Sequence, residues 1–364
     1  MAVSNDLLTD RRVHRHKHAL EEAGYSVALI GRDDLCLRHR RGWLFYAELN
    51  WQLFRRLRCT ETDMLWANDT DTLLGCWMAS LPCLRSKPRR RPRLVMDAHE
   101  LFPEVPEIQH KPLVRWVWRT LEQLLMPRCD GVLTVCQSIA AHYRQGLGLA
   151  VTVVRNMPDT VGTPHTDRNH SAKPAQKSQM AHLLYQGCVN LGRGVDWAID
   201  ALEHLPQCTL TVAGGGDLLE VMQAYARQKP WADRITFTGR LSPSELDALT
   251  QTADVGLVML EDLGLSYHYA LPNRIGDMVQ AGVPMVVSDL PEMAAFVRKH
   301  QVGEVMHGPG PLELARSVGR VLSKTWCEAD FDSARKDMDW NSEKTILLDW
   351  VQQTLFANQL LEKK

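Results

Sequence analysis

Apolar positions change their period along this chain, and the changes mark out its elements. From residue 182 the alternation is regular. "HLLYQG" (182–187) is a short apolar run of strand type, and "VDWAIDALEHL" places apolar residues at 195, 198, 199 and 202, the spacing of one helix face. "TLTVAGGG" (209–216) reads as a strand ending in glycines. "DLLEVMQAYARQ" (217–228) reads as a helix closed by Pro230. "RITFTG" (234–239) is a strand, "SPSELDALTQT" (242–252) a helix opened by an N-cap serine and a proline, and "DVGLVML" (254–260) a strand. In "YALPNRIGDMVQAGVPMVVSD" (269–289), Pro272 suits a first helical turn, and Ile275, Met278 and Val279 recur at helical spacing. Gly282 is a C-cap, and "PMVVSD" is a buried strand.

The first half is noisier but of the same kind. "MAVSNDL" (1–7) is a short leading strand, "RRVHRHKHALEEAG" (11–24) a helix and "YSVALIG" (25–31) a strand. "DMLWAND", "RLVMDAH", "GVLTVC" and "VTVVRN" are later strands, with helices around 72–81, 112–126 and 137–145. Repeated βα units imply doubly wound parallel sheets. The fold class expected is therefore α/β, two Rossmann-like domains facing a cleft. Residues 1–157 form the first, 158–181 a linker rich in Pro, Ser, Thr and Lys, and 182–340 the second. Residues 341–364 form an amphipathic helix that could pack back on the first domain. The leading strand looks clipped, which suggests a start a few residues upstream.

Charge sharpens this picture. Residues 1–157 carry 23 Lys/Arg against 17 Asp/Glu, a balance of +6, while 158–364 carry 19 against 26, a balance of −7. A basic half joined to an acidic half suggests different partners for the two. Nine scattered cysteines without a C-x-x-C pair argue for a reducing compartment, and against a disulfide framework or zinc site. "MAVSNDLLTDRR" is too polar for a signal peptide, so a cytoplasmic protein is expected.

Chemistry concentrates at the predicted strand ends. Asn273, Arg274 and the amides beside them form an exposed, positively biased helix N-terminus, an anion site in principle. "YQGCVNLGRG" (185–194), "AGGGD" (213–217) and "FTGRLS" (237–242) add glycines and Arg193 to the same edge. In the first half the ends are Asn5 and Asp6, Asn68 and Asp69, "DAHE" (97–100) and "NMPD" (156–159). This combination fits a phosphorylated ligand. "AGGGD" lacks the G-x-G-x-x-G spacing of a nicotinamide site.

With these motifs the chain resembles the retaining, nucleotide-sugar-dependent glycosyltransferases of GT-B fold, family 4, over nearly its whole length. "YQGCVNLGRGVDWAIDAL", "ITFTGRLSPSELDALTQTADVGLVML", "LPNRIGDMVQAGVPMVVSDLPEM", "DAHELFPEVPE" and "CDGVLTVCQSIAAHY" carry the resemblance through their order and spacing. It implies a UDP- or GDP-sugar held mainly by the second domain, a saccharide or lipid-linked acceptor held mainly by the first, and no cofactor or metal. By the same resemblance Arg193, Arg274 and Asn273 would face the diphosphate, with Gly187, Gly194, Gly215 and Gly216 lining the donor. Asp277, the second acidic position of an E-x7-E motif, would hold the ribose; Gly239 and Leu241 would flank the base; His99 would meet the sugar or acceptor. Two departures touch the donor site. Tyr269 replaces the first acidic residue of that motif, and Cys188 stands where many relatives carry arginine. They leave open a catalytically weak nucleotide-sugar binder or scaffold as the alternative.

Three further segments need a reading. "RRVHRHKH" (11–18) is a solvated basic face with His14 and His18 one turn apart, not a metal site. "GWLFYAELNWQLFRRLR" (42–58) is either a core helix or, with the basic run "LRSKPRRRPR" (84–93), a peripheral contact with anionic membrane. No basic–aromatic face of a nucleic-acid module is present.

Overall fold

The structure, a computed structural model, describes residues 1–4, 10–39, 42–85, 91–157 and 180–356. Residues 158–179 of the linker, Asn5 and Asp6, half of the basic run (86–90) and the final residues 357–364 lie outside the described residues. The chain divides into two compact units, one of Met1–Asn156 with Asn341–Lys364, the other of Met157–Trp340.

In the first unit the order is α1 (Arg11–Glu22), α2 (Gly42–Leu57), β1 (Met64–Asn68), α3 (Thr70–Ser80), β2 (Arg93–Ala98), α4 (Pro112–Leu125), β3 (Gly131–Thr134), α5 (Gln137–Leu147) and β4 (Val151–Val153). The four strands pair in parallel in the order β1-β2-β3-β4, with Asn68 beside Asp97 and Asp97 beside Leu133. Of the expected strands over 1–7 and 25–31, the described residues form only isolated bridges, Ala2 to Ile30 and Ala2 to Ala67, and residues 5–7 lie outside the described residues. Alternate residues of 25–29 stay in solvent, so little apolar surface is available to extend that ladder.

The second unit runs β5 (Ala181–Gln186), α6 (Val195–Ala201), β6 (Cys208–Ala213), α7 (Leu219–Arg227), β7 (Ile235–Gly239), α8 (Pro243–Thr250), β8 (Val255–Val258), α9 (Leu265–His268), α10 (Asn273–Ala281), β9 (Met285–Val287), α11 (Pro291–His300), β10 (Gly303–Val305), α12 (Pro311–Ser323) and α13 (Glu328–Asp337). Its six strands are parallel, in the order β10-β9-β8-β5-β6-β7. Central strands β8 and β9 are buried throughout, as strands covered on both faces must be. The serine read as an N-cap closes a full capping box: Ser242 accepts from the Glu245 amide, and Glu245 accepts from Ser242. Pro272 sits one place earlier than expected. It is the N-cap of α10, and Asn273 opens the first turn.

Helix α14 (Trp340–Phe356) returns to the first unit. Trp350 meets the edge of Trp66 at 5.7 Å between ring centroids. A Cβ on Gly131 would come within 2.6 Å of the same indole, so β3 begins with glycine where the ring lies. Glu343 accepts from both the Arg155 amide at 2.8 Å and the Arg155 Nε at 2.6 Å. Replacing Trp350 with Ala should destabilise this unit by about 3–5 kcal/mol, the usual range for deleting a buried Trp side chain. Urea denaturation of the full chain measures it, and a loss under 1 kcal/mol would mean that α14 is not part of the unit's core.

Candidate functional site

Parallel pairing delivers the ends of β5, β6, β7 and β8 to one edge of the second sheet, and the start of α10 meets them there. Arg274, expected exposed, is buried. Its Nη1 donates to the Gln186 carbonyl at 3.2 Å and its Nη2 to the Met259 carbonyl at 2.8 Å, while the guanidinium lies 4.9 Å from the Tyr185 ring centroid. The inward turn follows from helix geometry, which puts Arg274 beside Ile275 and Met278 on the packed side of α10. Its Nε is buried with no partner. Arg193 stacks on Tyr267 at 4.7 Å and donates from Nε to the tyrosine hydroxyl at 2.8 Å. Burial, with the Arg193 charge adding to it, lowers the Arg274 pKa. Neither guanidinium has a carboxylate partner among the described residues.

Asp277 is half-buried on the next turn of α10, where Gln186 Nε2 donates to its Oδ2 at 2.7 Å. Gln186 in turn accepts from Thr250 Oγ1 at 2.9 Å, so a fully buried amide fixes this carboxylate. Gln186, Tyr185 and Tyr267 escaped sequence reading because a polar strand end and two aromatics look like core. Gly187 takes φ 125°, and a Cβ there would meet only Arg274 Nη1, at 3.5 Å. Gly216, expected to line the donor, has a structural reason of its own: a Cβ would fall 2.4 Å from the Val189 carbonyl. Gly215 lies under Arg240, Gly239 is open, and Gly194 caps α6 with φ 68°. Leu241 packs partly against the core, and Asn273 is exposed. Tyr269 follows α9 and is half-buried, its ring 5.0 Å from that of His268. Cys188 is exposed at the end of β5.

The first unit collects a different set at its own strand ends. Arg12 donates to Asp97 from Nε at 3.0 Å and from Nη2 at 2.7 Å, and to the Val154 carbonyl from Nη1 at 2.7 Å. His16 Nδ1 lies 3.4 Å from the same carboxylate. "RRVHRHKH" is thus not wholly a solvated face. His14 and His18 are exposed, but Arg12 and His16 share the inward stripe with Val13, Ala19 and Leu20. That stripe was visible as i, i+4 spacing, had charged residues been admitted to it. His99 Nε2 lies 3.4 Å from Asp97 Oδ2 and its Nδ1 3.3 Å from Asp69 Oδ2. Burial alone would depress His99, but Asp69 and Asp97 outweigh it and lift the ring to about 9. Burial raises Asp69 to about 6 and Asp71 to about 7. It would raise Asp97 too, yet Arg12, His99 and His16 hold that carboxyl far below its ordinary range. Glu122, which accepts from Thr70 Oγ1 at 2.6 Å and from Tyr143 at 3.2 Å, is lifted by burial to about 7.

On the surface of this unit, Trp43, Leu44 and Trp51 of α2 and Leu113, Trp116, Val117 and Leu124 of α4 are exposed, while Leu49, Leu53, Phe54 and Leu57 of α2 are core. Of the basic run, Arg85 donates to the Ala79 and Thr60 carbonyls, and Arg91 and Arg93 pair with Asp130. Among the described residues no helix is long and apolar enough to cross a membrane, and no group of three or more His, Cys, Asp or Glu is placed to hold a metal ion.

Comparison with known proteins bears on the family and the fold. The model for glycosyl transferases group 1 matches residues 181–324, and that for glycosyltransferase family 4 matches residues 9–161. A glycogen synthase of Mycobacterium tuberculosis is 29% identical over 238 residues, 62% of this chain and 54% of the synthase, so the match spans about half that relative's length. Among solved structures, sucrose-phosphate synthase of Thermosynechococcus elongatus superposes with a TM-score of 0.73 at 16% identity, over 97% of this chain and 93% of that one. HepE of Anabaena, in complex with UDP-glucose, superposes with a TM-score of 0.66 at 17% identity, over 93% and 88%.

Glu122 gives a pH test of the first unit. Its folded pKa, about 7, lies above its unfolded value, so folding takes up a proton that the unfolded chain releases. Its contribution is most favourable below the unfolded pKa and falls as pH rises toward 7. Asp71 acts with the same sign in the same window. Glu122 and Asp71 should therefore pull the melting temperature of the full chain down from pH 5 to pH 8, against His16, whose buried neutral ring adds stability as pH rises, and Glu122→Gln should reduce that fall. An equal fall in both proteins would remove Glu122 from this role.

Proposed function

We infer, from the premise that this chain belongs to the family 4 glycosyltransferases of GT-B fold, that it moves a sugar from a nucleotide-sugar donor to a hydroxyl acceptor, with retention at the anomeric carbon. The observation that carries the reading is the pair of largely buried guanidiniums, Arg193 and Arg274, at one sheet edge without carboxylate partners. Buried charge without a counter-ion is costly, and a bound diphosphate would supply the missing anion. The first-turn amides of Asn273 and Arg274, which have no intrahelical acceptor, add to the same field.

In this reading the leaving UDP or GDP departs against Arg193, Arg274 and the start of α10, whose fixed positive charge stabilises the transition state more than the ground state. Asp277, oriented by Gln186, holds the ribose hydroxyls, and the Gly239–Leu241 loop flanks the base. The acceptor is a saccharide or a lipid-linked saccharide, in cell-surface polysaccharide or glycolipid assembly. The exposed tryptophans of α2 and α4 beside basic residues support a peripheral membrane contact for such an acceptor. A second reading, a binder without turnover, rests on Tyr269 and Cys188 at donor-contact positions.

A thermal-shift panel of UDP, GDP, ADP and TDP, each with and without magnesium, tests the donor site. One nucleoside diphosphate should raise the melting temperature and so name the base. Arg274→Ala should abolish that shift and lower the rate of UDP or GDP release from the matching sugar about a hundredfold, the scale of losing one transition-state donor. Binding without any turnover in the unaltered protein would favour the second reading, and full activity in Arg274→Ala would overturn the leaving-group assignment.

A further inference from the structure

Asp69 stands apart from the other described residues in its backbone. It takes φ 63° and ψ 166°, a region populated almost only by glycine and strained for a residue with a side chain. It also occupies the N-cap of α3, where an aspartate ordinarily accepts a hydrogen bond from the helix's own first amides, and it makes no such bond. Two local sources of stability are given up at one residue. The carboxylate instead crosses to the neighbouring strand end. Its Oδ1 accepts from the His99 amide at 2.8 Å, and its Oδ2 lies 3.3 Å from His99 Nδ1.

Asp97 meets the opposite side of the same ring, at 3.4 Å from Nε2, and is itself held by the two-pronged contact from Arg12. The imidazole is therefore clamped between carboxylates from two adjacent strands. The other charged or titratable groups facing this cluster are Arg12 and His16 from α1, Asp71 from the first turn of α3, Glu100 next along the chain, Glu122 from α4 and Tyr143 from α5. Each ring nitrogen faces a carboxylate at ion-pair distance, although Nε2 makes no hydrogen bond, so what the ring chiefly offers a ligand is its positive charge and its polarised C–H edge.

We propose that Asp69 is a positioning residue whose strained backbone is retained because its carboxylate clamps His99 as a fixed cation, so that the ring orients a sugar oxygen by its charge and does not exchange a proton with it. This rests on the reading of the first unit as the sugar and acceptor end of a glycosyltransferase. A residue that served only the fold would do better as glycine, which takes this backbone without strain, or as an unstrained cap whose side chain bonds the helix's first amides.

The test compares the full-length unaltered protein with Asp69→Asn, which keeps the strain and removes the charge, and Asp69→Gly, which removes both. Ring resonances of histidine-labelled protein, with His99 assigned through His99→Gln, are followed from pH 6 to 8.5 alongside thermal unfolding and UDP release from UDP-glucose. His99 should stay charged across that range in the unaltered protein and titrate within it in both variants. Asp69→Gly should melt above Asp69→Asn. UDP release should fall about tenfold or more in both, as expected for a misplaced reacting geometry, with a new decline above pH 7. Unchanged UDP affinity would place the loss in the first unit. A ring that titrates as before, an Asn variant as stable as the Gly variant, or unaltered rate and pH profile in the variants would each overturn the proposal. Absence of binding by every nucleoside diphosphate of the thermal-shift panel in all three proteins would overturn the donor reading instead, and the ring titration and the order of melting would still decide the role of Asp69.

Discussion

A parallel strand can follow another in the same sheet only if the chain first crosses back over one face, so all carboxyl ends collect on one edge. Both sheets here are wholly parallel, and that constraint organises the molecule. It lets apolar stretches such as Val255–Val258 and Met285–Val287 be buried end to end, while polar residues concentrate just past them. Gln186, Gly187 and Gly239 in one unit, and Asn68, Asp69 and His99 in the other, owe their grouping to topology before any of them owes it to chemistry.

The two edges solve the problem of buried charge in opposite ways. In the first unit positive and negative groups neutralise one another internally: Arg12 meets Asp97, and His99 sits between Asp97 and Asp69. Such a cluster is rigid and self-sufficient once folded. In the second unit, Arg193 and Arg274 are satisfied only by carbonyls, a hydroxyl and aromatic faces, all neutral. That edge is incomplete as a charge distribution, and Arg274 Nε is left without a hydrogen-bond partner.

The sequence made the second unit's architecture legible because its period changes coincide with caps: Ser242 opening α8 and Gly282 closing α10 appear as read. Asp277 and the two arginines were found as residue types at strand ends, but not their surroundings. Whether Arg274 points to solvent or to the Gln186 carbonyl depends on side-chain packing that a one-dimensional pattern does not contain. The short edge over 1–31 failed for a related reason, since bridging depends on what lies alongside. Arg12 and His16 were missed by a rule rather than by lack of signal, because charged residues on an apolar stripe were assigned to the solvent face.

The return of α14 has a consequence for how the polypeptide is made. The second unit is an insertion within the first, lying between Asn156 and Asn341. During synthesis all of its strands have left the ribosome before Trp350 emerges to cover Trp66 and the start of β3. The segment synthesised first is thus the last to be completed. Until then its sheet lacks part of its cover, so a nascent or prematurely terminated chain would carry a completed second unit and an unfinished first one, exposed to proteolysis and to chaperones.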